Sequence, residues 1–365
     1  MISVLVPTLN ERRGPPELVR RVAEALDPLG PWEILFIDDS DPTDEASRGL
    51  RDLADGLRVR YLAGPGTGLA AAVVEGLRRS RGDLCVVMDA DLQHPPELLP
   101  ALVAALDRGH DVAVASRFAN GGSERLSALR QVNAQGARML ARVVLVEARR
   151  TADPMSGFFA VRKPAVPVAA LAPRGWKILL EILVRGNLAR VADVPYAFGL
   201  RAGDESKLTW RTQVAFLRHL LALFLASAPS QRLARFALSG LGGVALNMLT
   251  YTVLVGRDGW PPLAAGLVAR HVPMPLTFLP AQWWTWSDRA AGAPWPRLGR
   301  FLAVSEAGTV INMAVIVVFQ YLGRRIAPWD NLIGILAAFA FAYLLNDRWT
   351  FVPMEKAVRV EGAGD

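Results

Sequence analysis

The sequence predicts an α/β domain with a mostly parallel sheet wrapped by helices, then interface helices and a four-helix transmembrane domain. Three observations lead there. Short apolar runs alternate with helix-period segments over roughly the first 230 residues. Carboxylate and amide motifs fall at the ends of those runs. From about Arg232 the chain turns apolar, in runs of about 20 residues between short charged patches.

The runs Ile2–Pro7, Glu33–Ile37, Leu57–Leu62, Leu84–Met88 and Asp111–Ala115 read as strands. Between them Pro15–Leu26, Thr43–Ala54, Gly68–Arg79 and Pro95–Arg108 read as helices, with Pro15, Pro16, Pro95 and Pro96 at starts that tolerate proline. Strand–helix alternation argues for a parallel sheet, whose ligands sit at the carboxyl ends of its strands. Asn10-Glu11, Asp38-Asp39 and Asp89-Ala90-Asp91 fall at such ends.

Two amphipathic stretches follow. In Leu126–Leu145 the residues Leu129, Val132, Gly136, Leu140 and Val143 share one face, and Arg130, Arg138 and Arg142 lie opposite. In Trp210–Ala228 a stripe of Trp210, Val214, Leu217, Leu221 and Phe224 recurs at helical spacing. Such stripes pack on a core or lie in a membrane interface. The apolar chain downstream favours the interface.

Four segments are long enough to span a bilayer: roughly Leu233–Val255, Pro262–Trp286, Phe301–Leu322 and Asn331–Phe351. They repeat at an offset of 65: Arg235-Phe236 matches Arg300-Phe301, Gly243 matches Gly308, Asn247-Met248 matches Asn312-Met313, and Trp284-Thr285 matches Trp349-Thr350. This predicts two duplicated hairpins. The second segment carries Arg270, His271, Pro273, Pro275 and Pro280, so it is expected to kink or to stop short. Arg232, Arg235, Arg289, Arg297, Arg300, Arg348, Lys356 and Arg359 would lie on the cytoplasmic side, against Arg257, Arg324 and Arg325 outside.

The net charge of +7 fits anionic lipid or an anionic substrate. Nucleic acid is excluded as a partner class, because no basic tract interleaved with aromatics occurs. Cys85, alone in an apolar run, reads as a core residue, and no Cys/His spacing suggests zinc. The N-terminal stretch lacks the basic region of a signal peptide, so the first domain is expected in the cytoplasm.

Asp89 and Asp91, one residue apart at a strand end, can share a hard divalent cation that in turn holds a nucleotide diphosphate. Gln93 lies on the same side. An acid at the end of the second strand, in Asp38-Asp39, suits ribose or base hydroxyls. Alternatively it belongs to the start of the next helix, where Ser40, Asp41 and Thr43 compete as caps. Gly64-Pro65-Gly66-Thr67-Gly68 lacks the residues of a P-loop and reads as a tight turn.

Val6-Pro7-Thr8-Leu9-Asn10-Glu11, Ile37-Asp38-Asp39-Ser40 and Val87-Met88-Asp89-Ala90-Asp91-Leu92-Gln93-His94-Pro95-Pro96-Glu97 resemble the family-2 inverting glycosyltransferases. Ser116-Arg117-Phe118, Asp153-Pro154-Met155-Ser156-Gly157-Phe158-Phe159, Gly175 through Glu181, Phe198 through Arg201 and Glu205 through Leu208 narrow the resemblance to the dolichol-phosphate mannose synthases. The repeated spans resemble the GtrA-type membrane domain. The resemblance implies a GT-A fold and transfer of one sugar, mannose from GDP-mannose, to a polyprenyl phosphate with Mg²⁺ or Mn²⁺. Pro7, Asn10, Glu11 and Asp39 would contact the nucleoside. Asp89, Asp91 and Gln93 would bind metal and sugar diphosphate, Arg117 and Arg130 would face the lipid phosphate, and Arg201 and Lys207 would clamp phosphates. Leu9 stands where the family often has an aromatic beside the base.

The expected boundaries are residues 1–205 for the catalytic domain, with an interface helix near 126–146. A second interface helix would span 206–230, the membrane domain 231–353 and a cytoplasmic tail 354–365. A polyprenyl-phosphate glucosyltransferase using UDP-glucose is the alternative within enzymes. A processive synthase is disfavoured by the absence of Gln-x-x-Arg-Trp. A lipid-linked sugar flippase or pure anchor is the non-enzymatic alternative.

Overall fold

The computed structural model describes residues 1–119, 128–172, 176–197, 210–290, 293–321 and 328–352. Arg201, Lys207, Arg324, Arg325, the motif residues 198–208 and the tail from 354 lie outside them, as does the side chain of Arg130. The chain divides into two compact units, Met1–Ser230 and Gln231–Asp365.

The first unit is built on strands β1 (Ile2–Thr8), β2 (Trp32–Asp38), β3 (Val59–Ala63), β4 (Leu84–Val87), β5 (Val112–Ser116), β6 (Phe159–Arg162) and β7 (Val191–Pro195). They form one sheet in the order β3-β2-β1-β4-β6-β5-β7, parallel except for β6, which runs against both neighbours. The five strands expected from the sequence are β1 to β5. Strand β6 gave no comparable signal: its four residues show no alternation, because β6 is wedged between β4 and β5 and buried on both faces.

Helices α1 (Gly14–Leu26), α2 (Glu45–Leu53), α3 (Leu69–Arg79) and α4 (Leu99–Asp107) are the expected crossovers. Two apolar layers result, one with Leu18, Val22 and Leu102, the other with Ala70, Val73 and Leu77. Cys85 is fully buried in the second, and burial pushes its thiol up. The cap of α2 is Asp44, whose carboxylate accepts from Ala46 N–H, rather than Ser40, Asp41 or Thr43. After β3 the chain crosses to the other side of β1, so β1 and β4 flank the point where the winding reverses. Ligands of such sheets bind outside the carboxyl ends at this point.

Helices α5 (Ala128–Val144), α6 (Ile178–Arg185) and α7 (Trp210–Ala226) pack together through Ala141, Leu145, Leu180, Leu220 and Leu223. Of the stripes read from the sequence, Phe224 packs against this cluster while other members do not. Leu140 and Val143 on α5, and Leu217 and Leu221 on α7, are exposed. Beside them Met139 and Leu225 are also exposed. Within the helical cluster Glu181 is buried and bonded to Arg185 at 2.6 Å and to His219 at 3.2 Å.

The second unit is built from α8 (Ala228–Gly256), all but its first three residues, with α9 (Pro262–His271), α10 (Pro273–Pro280), α11 (Trp295–Tyr321) and α12 (Pro328–Leu345). Among the described residues, Ala228–Gly256 and Trp295–Phe319 are long and apolar enough to cross a membrane, with mean hydropathies of 1.5 and 1.9. The second expected span is broken: α9 and α10 meet at Val272, where Pro273 cannot continue the hydrogen-bond ladder. Arg270 is not left alone there. It pairs with Glu306 at 3.1 Å.

The duplication is visible in detail. Two π-turns, Ala281–Thr285 and Asn346–Thr350, sit 65 residues apart. Arg235 donates to the Trp284 carbonyl at 3.1 Å, and Arg300 donates to that of Trp349 at 3.4 Å. Phe236 meets Tyr343 at a ring separation of 5.6 Å, and Phe301 meets Phe278 at 5.6 Å. Such reciprocity is the mark of a local two-fold axis. Trp286 and its equivalent Phe351 stack across it at 4.6 Å with planes 2° apart.

Candidate active site

A cavity of about 290 Å³ opens at the carboxyl edge of the sheet, where the winding reverses. Pro7, Thr8, Leu9 and Glu11 line it from the end of β1, and Asp39 from the end of β2. Gly68, Leu69 and Ala72 come from the start of α3, and Asp89, Ala90 and Asp91 from the end of β4. Of the residues expected from the sequence, Pro7, Glu11, Asp39, Asp89 and Asp91 meet here. Asn10 and Gln93 flank the cavity without lining it.

The two aspartates after β2 divide their work. Asp38 is buried, and its carboxylate accepts from the hydroxyls of Thr8 at 3.1 Å and Ser40 at 2.6 Å, and from that of Ser47. It is a structural anchor. Ser40 in turn accepts from the Asn10 N–H at 2.7 Å, which fixes the turn after β1. Asp39 faces the cavity and accepts from the N–H groups of Gly66 at 2.8 Å and Gly68 at 3.1 Å. The glycine-rich loop is thus clipped to this carboxylate. A side chain at Gly64 would collide with Asp39, so the close approach requires glycine there.

The Asp89-Ala90-Asp91 turn is held on three sides. Gly14, the first residue of α1, sits so close to the Ala90 carbonyl that a Cβ would overlap it. The Gln93 N–H donates to Asp91 Oδ1 at 3.1 Å. The Asp89 N–H donates to His94 Nδ1 at 3.0 Å. His94 is 3% exposed, stacks on Phe158 at 5.0 Å and meets the edge of Tyr196 at 6.4 Å. Burial holds its pKa below the ordinary imidazole value, so the ring is neutral at pH 7 and its Nδ1 is an acceptor. Sequence reading missed His94, because its neighbours Phe158 and Tyr196 arrive from distant elements. Within the same turn Leu92 has φ of 62°, a left-handed conformation that a leucine adopts only under constraint from its surroundings.

The Asp89 side chain is 40% exposed toward the cavity. Among the described residues no three His, Cys, Asp or Glu side chains gather as a metal cage. The carboxylates of Asp89 and Asp91, one residue apart on the cavity wall, nonetheless fit Mg²⁺ or Mn²⁺, which keep most sites for water and phosphate oxygens. The donor set suits a cation brought together with a diphosphate.

Arg117, just past β5, is bonded to Asp153 through Nε at 2.8 Å and Nη2 at 3.2 Å. Asp153 is fully buried, so this forked pair fixes the guanidinium plane. Next to it Phe118 is covered by Arg138 of α5 at 4.1 Å. Lys177 donates to the Met155 carbonyl at 3.0 Å. The turn 153–157, Arg117 and α5 are thereby one connected assembly.

Comparison with known proteins agrees with this organisation. Residues 3–166 match the family described as Glycosyl transferase family 2, and residues 235–351 match the GtrA/DPMS transmembrane domain. The dolichol-phosphate mannosyltransferase of Pyrococcus furiosus is 36% identical over 96% of this chain and 99% of its own. That of Mycosarcoma maydis is 35% identical over 61% of this chain and 78% of its own. Among solved structures, a Mycobacterium tuberculosis glucosyl-3-phosphoglycerate synthase aligns with a TM-score of 0.45 and 23% identity, over 62% of this chain and 80% of that one. The chain is a membrane glycosyltransferase, and it belongs to the family of the dolichol-phosphate mannosyltransferases.

Proposed function

We propose that this enzyme transfers mannose from GDP-mannose to a polyprenyl phosphate, with inversion at the anomeric carbon. The observation that carries the reading is the meeting of Asp89 and Asp91 with Asp39, Pro7 and Glu11 around one cavity at the sheet's reversal point. The similarity to dolichol-phosphate mannosyltransferases supports the sugar and the acceptor.

In this reading Pro7, Glu11 and Asp39 hold the nucleoside, and Asn10 contributes from the rim. Asp89 and Asp91, with Gln93 beside them, position the sugar diphosphate. A divalent cation on these carboxylates, when bound, offsets the charge that gathers on the departing diphosphate. The acceptor needs no strong base. A phosphate monoester has a second pKa of about 6 and is largely a dianion at neutral pH. The protein's task is then to position it and to balance its charge. Asp153 keeps Arg117 in a single orientation for the lipid phosphate. Arg130 is assigned to that phosphate, and Arg201 and Lys207 to the donor phosphates, on sequence grounds. The exposed apolar faces of α5 and α7 suit the headgroup region, where the acceptor phosphate lies. The arginine distribution of the membrane unit favours a cytoplasmic active site.

Incubation of the full chain with polyprenyl phosphate and Mg²⁺ or Mn²⁺ tests the reading, with labelled GDP-mannose and UDP-glucose offered in parallel. Mannose label is expected in the organic phase. Glucose label there, or none, refutes the donor assignment.

A further inference from the structure

The turn that carries Asp153 is itself held by a residue of the sheet's far edge. Asp193 lies in the edge strand β7, opposite Val114 of β5, three residues before Arg117. Its Oδ1 accepts from the Thr151 hydroxyl, and its Oδ2 accepts from the Ala152 N–H at 2.8 Å. Thr151 is buried, and its oxygen accepts in turn from the Asp153 N–H at 3.1 Å. A threonine hydroxyl has one proton and two lone pairs. Committing the proton to Asp193 leaves a lone pair for the Asp153 N–H. One carboxylate thus fixes both residues that precede Asp153.

From Asp153 the contacts reach Arg117, whose Nε and Nη2 donate to its carboxylate at 2.8 and 3.2 Å. The other end of the turn is tied separately. Ser156 donates to the Ala115 carbonyl of β5 at 2.8 Å, and Lys177 donates to that of Met155 at 3.0 Å. Loss of Asp193 therefore leaves the turn attached but frees its first three residues, including the carboxylate that orients Arg117. Asp193 is exposed and does not line the catalytic cavity. That cavity is built on the ends of β1, β2 and β4, with β6 and β5 between it and β7. A disturbance at Asp193 reaches Arg117 before it reaches the nucleotide.

We infer that Asp193 is a positioning residue for the acceptor phosphate, acting through Thr151 and Asp153 on the plane of the Arg117 guanidinium. The inference rests on the reading of Arg117 as a ligand of that phosphate. A guanidinium binds phosphate through directional, forked bonds, so a tilted plane weakens the phosphate contact even though the charge remains.

The test titrates the full chain in phosphatidylcholine nanodiscs with farnesyl phosphate, with farnesol as the control for partition into the bilayer. It needs no sugar transfer. GDP with Mn²⁺ is titrated in parallel. Asp193→Ala is expected to raise the Kd for farnesyl phosphate about 10-fold and to leave that for GDP within about two-fold. Asp193→Asn, which keeps one accepting oxygen, is expected to recover part of the loss. In an Arg117→Ala background, Asp193→Ala is expected to add less than about two-fold, because its route to the phosphate is gone. Wild-type affinity for farnesyl phosphate in Asp193→Ala overturns the inference, as does an equal loss of GDP affinity or a full additional loss on top of Arg117→Ala. Wild-type affinity in Arg117→Ala alone overturns the acceptor role of Arg117 and this inference with it.

Discussion

The backbone N–H of Asp89 donates to Nδ1 of His94, 3.0 Å away, so a buried neutral imidazole supports the turn that presents both cavity-facing aspartates. His94→Phe keeps the stack on Phe158 but leaves a buried N–H without its acceptor, a cost of roughly 1–3 kcal/mol. The expected result is a folded enzyme with kcat/KM lowered about 10- to 100-fold and a raised Mn²⁺ requirement. His94→Asn, whose amide oxygen replaces Nδ1, is expected to recover part of that loss. Steady-state kinetics across Mn²⁺ concentrations checks it. Equal activity and Mn²⁺ requirement in wild type and His94→Phe would show that the contact is incidental.

Asp39→Ala removes the acceptor of Gly66 and Gly68 and loosens the loop that lines the cavity. Donor KM is expected to rise about 10-fold or more, in line with roughly 1.5–3 kcal/mol for hydrogen bonds to a charged group, while acceptor KM stays within about two-fold. Initial rates with each substrate varied in turn separate the two. A change confined to acceptor KM would contradict the assignment.

Two buried glutamates set the acid limit of the first unit. Burial raises the Glu181 carboxyl, but bonds from His219 and Arg185 outweigh it and hold the group below the ordinary glutamate value. Glu33 behaves likewise: bonds from Arg81 N–H, Arg60 and Ser3 outweigh its burial. A carboxylate depressed in the fold contributes stability above its unfolded pKa, about 4.3, and loses it as pH falls through the folded value. Tm is therefore expected to fall steeply below about pH 4.3, and less steeply in Glu33→Gln. Scanning Tm from pH 7 to pH 3 reads this directly; parallel slopes would dismiss the contribution.

In the membrane unit, Trp286 and Phe351 are both fully buried and stack across the local two-fold axis. Each alanine variant is expected to cost about 3–5 kcal/mol. The double variant should cost less than the sum by about 0.5–1.5 kcal/mol. Reversible unfolding in detergent measures the cycle. Strict additivity would mean that the stack is not an interaction.

Strands β1 to β5 and the carboxylates at their ends were legible because periodicity and strand-end position are local properties. The 65-residue duplication was legible as a repeat, and its reciprocal Phe236–Tyr343 and Phe301–Phe278 contacts follow from it. What stayed hidden depends on distant partners. Nothing local separates buried Asp38 from cavity-facing Asp39; Thr8 and Ser47 decide it. Arg117 meets Asp153 across 36 residues, and His94 meets Phe158 across 64. The helical period found apolar stripes on α5 and α7, but tertiary packing took only part of them, burying Ala141 and Leu220 beside Phe224 and exposing Leu140 and Leu217.

The central claim is that Asp89 and Asp91 present the leaving diphosphate to the lipid phosphate. Transfer of labelled mannose from GDP-mannose to polyprenyl phosphate, compared between the wild-type chain and Asp91→Asn, tests it most directly. The account predicts Mn²⁺- or Mg²⁺-dependent label in the organic phase for the wild type. It predicts at least about a 100-fold loss in the variant, on the scale of about 2.7 kcal/mol of lost transition-state stabilisation, with Tm little changed. Near-normal transfer by Asp91→Asn would contradict it.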